Sequence, residues 1–194
     1  MKNTPLIYGA MVGIILVNSA TAQTVFTGDT KLACEAILCL SSGQRPAQCA
    51  PSIARYFSIS SRRLADTIQG RVNFLALCPA ANVDPTMKSL VNAIANGAGQ
   101  CDAAALNSQL MTTSTGEGQA GYSISNLMPS NCLAYNTHAY TADLQKTAVV
   151  YVGVPERHGF WADKATYALA LAEYNARIAR EDADRELASQ GGGG

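Results

Sequence analysis

From Lys31 to Leu40 the apolar residues Leu32, Ala33, Ala36, Ile37 and Leu40 recur at three- and four-residue steps, the spacing of one helical face. Asp29 and Thr30 offer the start of this helix a cap. Gly43 and Pro46 stop it and turn the chain, and a second helix begins near Pro51, whose missing N–H is harmless in a first turn. Ser58, Ser60 and Ser61 break the pattern. Ser61 then caps a third helix with Leu64, Ile68, Val72 and Leu75 on its inner face, ended by Pro79. A fourth helix runs from Pro85 to Ala95, with Met87, Leu90, Val91 and Ile94 inward and Asn96-Gly97 at its close. A weaker one spans Asp102 to Met111.

Residues 112–121 are Thr, Ser, Gly, Glu and Gln with no apolar period, so they are expected to be a flexible loop. The β-branched run from Thr147 to Val154, bounded by Pro155, predicts a strand, and Tyr135 to Tyr140 is its candidate partner in a short hairpin. The clearest helical period comes last, from Asp163 to about Ser189, with Tyr167, Leu171, Tyr174 and Ile178 along one stripe. Glu173 with Arg177 and Glu181 with Arg185 supply favourable i,i+4 pairs. The glycines that follow have no side chains to bury, so residues 190–194 are expected to be a disordered tail. The pattern therefore predicts a mainly α fold with a short β-hairpin before a long C-terminal helix, in a single domain over residues 23–189.

The chain opens differently. Lys2, an apolar run from Leu6 to Val17, and Ala20-Thr21-Ala22 form the three parts of a secretory signal peptide, residues 1–22, with Gln23 as the expected mature N-terminus. The apolar run is shorter than the roughly 20 residues that cross a bilayer, so no membrane insertion is expected after cleavage. Basic and acidic side chains are equal at 14 each, and losing Lys2 with the leader leaves the mature chain one unit negative. No bulk charge recruits nucleic acid.

Export gives the cysteines their meaning. All six, Cys34, Cys39, Cys49, Cys78, Cys101 and Cys132, follow the leader, and an even count in an exported chain implies disulfides. Fifteen pairings are open to six cysteines. Cys39 ends the first helix and Cys49 precedes the second, so a bond between them staples a helical hairpin. Cys34 and Cys39 lie about 140° apart around one helix and should not pair. Cys34 with Cys78 and Cys101 with Cys132 is the simplest completion. Neither C-x2-C nor a His-containing metal spacing occurs, so no metal and no thiol redox activity are expected.

Catalytic patterns are sparse. His138 and His158 are separated by the expected strand, and no nucleophile elbow, H-E-x-x-H helix or phosphate loop is present. Glu35 is the one carboxylate in a cysteine-rich setting that glycan hydrolysis could use; a helix-surface role is its other reading. Arg55, Tyr56 and Phe57, followed by Arg62, Arg63 and Arg71 against a single acid, Asp66, make a candidate patch for an acidic partner. The alternative places Tyr56 and Phe57 in the core behind a solvated arginine face. Trp161, in Gly159-Phe160-Trp161, is either a core anchor or an interface plug.

The string LACEAILCLSSGQRPAQCAPSIARYFSIS, then FLALCP, resembles the TrbM family of conjugal transfer proteins, and YVGVPERHGFWADKATYALALAEYNAR is similar to the end of that family. The likeness covers roughly residues 30–178, weakly between Asn107 and Ser130. It implies a component encoded with plasmid type IV secretion systems and carries over no catalytic residue or cofactor. Taken with the export signal, it leads to an expectation: a non-enzymatic periplasmic accessory protein of conjugation that binds envelope components of the secretion apparatus or pilus. A small peptidoglycan hydrolase assisting that apparatus, acting through Glu35, is the alternative.

Overall fold

A computed structural model describes residues 26–116, 119–141, 144 and 148–191. The expected leader and the last three glycines lie outside these residues. Seven α-helices and two antiparallel hairpins make up the regular structure among the described residues.

Helix α1 (Gly28–Ser41) buries Ala33, Ala36, Ile37, Cys39 and Leu40, the face that the spacing predicts. It begins earlier than expected, and no side chain caps it, because the Asp29 carboxylate turns instead to Arg55 of the next helix. Helix α2 (Ala50–Ser58) packs antiparallel to it across the Cys39–Cys49 bridge, whose Cα atoms stand 5.8 Å apart. Tyr56 of α2 is fully buried, and its hydroxyl donates to the Ile94 carbonyl at 3.0 Å.

Helix α3 (Leu64–Leu75) departs from the expected face. Thr67, Arg71, Phe74 and Leu75 are buried, while Leu64 is exposed and Ile68 and Val72 are only half-buried. The helix is turned by about one residue because the Arg71 side chain is drawn inward. Its guanidinium lies over the rings of Tyr56 and Phe57 at 4.7 and 5.2 Å, and Nη1 donates to the Ala98 carbonyl at 3.4 Å. Ala98 closes a helix, so the cation meets the negative end of a macrodipole as well as two π-faces. Nor does Ser61 cap α3: its backbone N–H donates to Thr67 Oγ1 at 2.8 Å.

That closing helix is α4 (Pro85–Gly97), which runs through the centre with Leu90, Val91, Ala93, Ile94, Ala95 and Gly97 buried. Asp84 caps it, accepting from Met87 N at 2.9 Å, and Pro85 occupies the first turn. Gly97 allows a close approach, since a Cβ there would fall 2.4 Å from Tyr135 Cβ. Helix α5 (Ala103–Gln109) is capped by Asp102, and Tyr135 comes from α6 (Ser130–Asn136). Cys101–Cys132 joins α6 to the loop that follows α4, and Cys34–Cys78 joins α1 to the end of α3.

The segment expected as a flexible loop forms most of a hairpin. Strands β1 (Met111–Gly116) and β2 (Gln119–Ile124) pair from Met111↔Ile124 to Gly116↔Gln119. Its Thr and Ser residues favour extended backbone, but neither face carries an apolar row, so periodicity cannot reveal it. The second hairpin also has a different partner from the expected one. Strand β3 (Val149–Val152) pairs with β4 (Phe160–Asp163), and residues 135–140 are helix α6, its end and a 3-10 turn. The tight return through Pro155–Arg157, closed by Gly159 N to Val154 O at 2.8 Å, brings the neighbouring strand back first.

Helix α7 (Tyr167–Gly191) ends the described chain, so Gln190 and Gly191, expected in a disordered tail, are helical. Ala170 and Tyr174 are buried against Val152 and Ala162, with Tyr167, Leu171 and Ile178 packed beside them. Arg177 pairs forward to Glu181 rather than back to Glu173. Arg157 joins the same cluster through Glu181 and Asp182, at 3.2 and 2.7 Å.

Candidate interaction surface

The end of α1 is tied to α2 by Cys39–Cys49, and the start of α4, capped by Asp84, packs beside it. Ile37, Leu38 and Ser41 of α1, Met87 and Leu90 of α4, and Tyr140 of the 3-10 turn Ala139–Thr141 line an open groove of about 380 Å³. Ser41 does not compete for it, since its hydroxyl is spent on the Ile37 carbonyl at 2.7 Å. Leu38 is 71 % exposed and Tyr140 51 %. Covering a leucine side chain completely is worth roughly 1.5–3 kcal/mol, so water leaves these walls at a gain.

Tyr140 is held at the rim by its neighbours. The Tyr140 backbone N–H donates to His138 Nδ1 at 3.2 Å, and His138 Nε2 meets Ser89 Oγ of α4 at 2.7 Å. Thr141 Oγ1 closes the turn on the carbonyls of Tyr135 and His138. The Ser89–His138 pair has the separation of a nucleophile and its base but the opposite polarity. With Nδ1 occupied as an acceptor, the proton of the neutral ring sits on Nε2 and is donated to the serine. A general base must take that proton, and among the described residues no carboxylate bonds the ring to reverse the tautomer. The pair is a clamp for the turn.

His158 is engaged elsewhere, with its ring stacked on Tyr122 at 4.4 Å and its Nδ1 at 2.8 Å from the Tyr122 carbonyl. Glu35 lies partly exposed on α1 beside Lys31, 3.7 Å away. No group of three or more His, Cys, Asp or Glu among the described residues could hold a metal ion.

Arg55, Tyr56, Phe57, Arg62 and Arg63 of the expected patch, and Trp161 as the sixth candidate contact residue, are not brought together as one surface. Arg55 bridges to Asp29 at 2.8 Å and lies over the Phe74 ring at 5.1 Å; its hydrogen bond holds the Asp29 carboxyl below its ordinary range. Tyr56 is in the core, and Phe57 is half-buried against Gly99. Trp161 is 5 % exposed, with Nε1 donating to the Ser125 carbonyl at 3.0 Å and its ring edge-on to Tyr151. Only Arg62 and Arg63 of the six stand fully out, on the connection between α2 and α3, and Arg63 pairs with Asp66. Burial therefore removes Tyr56 and Trp161 from any contact surface.

Sequence reasoning did not find the groove itself. Its one trace in the sequence was Leu38, which falls out of phase with the buried face of α1 and so puts an exposed leucine beside it. Tyr140 carried no such signal, because its position depends on the His138 clamp.

The TrbM family profile matches residues 25–175. No curated protein and no solved structure matches the chain. The matched span takes in all six cysteines, the groove, both hairpins and the buried start of α7. On that match this chain belongs to the TrbM family, a name associated with conjugal transfer.

Proposed function

We propose that this chain is an exported accessory protein of plasmid conjugation that works in the cell envelope by binding a component of the secretion apparatus or pilus. The observation that carries this reading is the groove between α1 and α4. It is apolar and open, and its α1 wall is held by two disulfides, as a rigid landing site for an apolar segment of a partner requires. Family membership supplies the conjugative context, and the three bridges suit an oxidising compartment. The reversed polarity of Ser89–His138 and the Lys31–Glu35 pairing offer no support for hydrolysis.

The test is a photo-crosslinking residue at position 38 in donor cells. Crosslinking to a secretion-system or pilus subunit, together with loss of transfer in Leu38→Asp, is the expected result. A Leu38→Asp strain that transfers at the wild-type rate, with no crosslinked subunit, would overturn it.

A further inference from the structure

We propose that a second cleft, between α4 and α6, is a binding site for a neutral, hydroxyl-rich glycan. The cleft is an open depression of about 500 Å³, and no Asp, Glu, Lys or Arg lines it. A charged ligand finds no carboxylate, ammonium or guanidinium there to pair with, whereas a neutral one needs none.

What the cleft offers is hydrogen-bond acceptors. Asn92 Nδ2 donates to the Lys88 carbonyl at 3.0 Å, Asn96 Nδ2 to Asn92 O at 2.8 Å, and Asn131 Nδ2 to Asn96 O at 3.0 Å. Each carboxamide has thus committed an N–H to helix backbone, which fixes its plane. Its Oδ1, with two lone pairs, has no partner among the described residues. Three such acceptors, Asn92 and Asn96 on α4 and Asn131 on α6, call for a ligand dense in donors, which sugar hydroxyls are. Ala93 and Ala134 add apolar surface to the same lining, of the kind the C–H face of a pyranose covers. Because Ser89 at the cleft's edge also receives the His138 proton, its own hydroxyl hydrogen is free to point to a ligand. This site shares α4 with the apolar groove but not its walls, so it stands or falls separately from the protein-docking reading.

The experiment is a titration of the oxidised, leaderless protein with chitotetraose and, separately, maltotetraose, followed in ¹H–¹⁵N correlation spectra. Shifts confined to residues 89–96 and 130–138, with a dissociation constant on the order of 1 mM or tighter, are expected for at least one sugar. A response to chitotetraose alone identifies the acetamido group as a recognised element; a response to both identifies the hydroxyls. Asn92→Leu and Ala134→Leu replace exposed helical positions with a good helix former, so the fold is kept. Each should weaken binding at least tenfold. Absence of shifts with both sugars at about 10 mM, or shifts that persist unchanged in both variants, would overturn the assignment.

Discussion

A buried guanidinium that meets no carboxylate among the described residues is an unusual core residue, and Arg71 shows what can stand in for an anion. At 7 % exposure, with Nε unpaired, it relies on two aromatic faces and the end of α4. Such a cation recovers its lost hydration only in part. Arg71→Met, which keeps an unbranched stem and removes the charge, should leave the unfolding free energy from urea denaturation within about 1 kcal/mol of wild type or raise it, whereas Arg71→Ala should cost roughly 2–3 kcal/mol through the cavity. The buried tyrosines behave oppositely. Burial pushes the Tyr56 and Tyr135 hydroxyls up to about 12 from an ordinary 10.0, and both donate to backbone carbonyls. Their folded pKa values lie above the unfolded one, so their stabilisation is complete below pH 10.0 and drains away as pH rises toward 12. Circular dichroism along an alkaline titration should show unfolding in that window. Tyr56→Phe should make the loss shallower, while costing about 1 kcal/mol at neutral pH for the missing hydrogen bond. None of this was legible at Arg71 in the sequence, where an arginine on an apparent polar face reads as solvated.

At the scale of elements, legibility followed burial on one face. Helix α1, α4 and the start of α7 each present a single apolar stripe to a core, and the 3.6-residue period reports it directly. Helix α3 is flanked by α1 and α4 and takes a cation inward, so its strongest apolar row is not its innermost face. Among the described side chains of the β1–β2 ribbon, only Ile124 is buried. Between β3 and α7 the decisive feature is Gly153, whose φ is +79° and where a Cβ would fall 2.2 Å from Tyr174 Cζ. The Tyr174 hydroxyl in turn accepts from Val154 N at 3.2 Å. Gly153→Ala should therefore destabilise by roughly 2 kcal/mol or more, measured by thermal melting, because it meets both a disfavoured backbone region and a rigid ring. Truncation gives a graded counterpart. Ending the chain after Asp182 removes only exposed residues and should leave the melting temperature unchanged. Ending it after Ala176 also removes Arg177, Glu181 and Asp182, the partners of the 157–158 turn, and should lower it.

Across the whole molecule the sulfur framework is unevenly spread. The bridges span sequence separations of 44, 10 and 31 residues, all within residues 34–132, and the β3–β4–α7 end depends on noncovalent packing alone. Loops of 44 and 10 residues correspond to roughly 4 and 2.7 kcal/mol in the chain-entropy account. Cys34→Ser should thus cost more than Cys39→Ser in chemical denaturation, and Cys39→Ser should leave Cys49 as a titratable thiol. The helical hairpin made this pairing legible, because one bridge joins the facing ends of two helices that the hydrophobic pattern had already placed.

Those same bridges decide where tension would travel. A pull applied at Cys34 and Cys132 crosses to Cys78 through one sulfur link and from Cys101 through another, so the loops they enclose carry no load. The path between is residues 79–100, and its regular element is α4. Between those two points the load therefore falls on the helix that lines both the apolar groove and the asparagine-walled cleft, and stretching it would open both surfaces together.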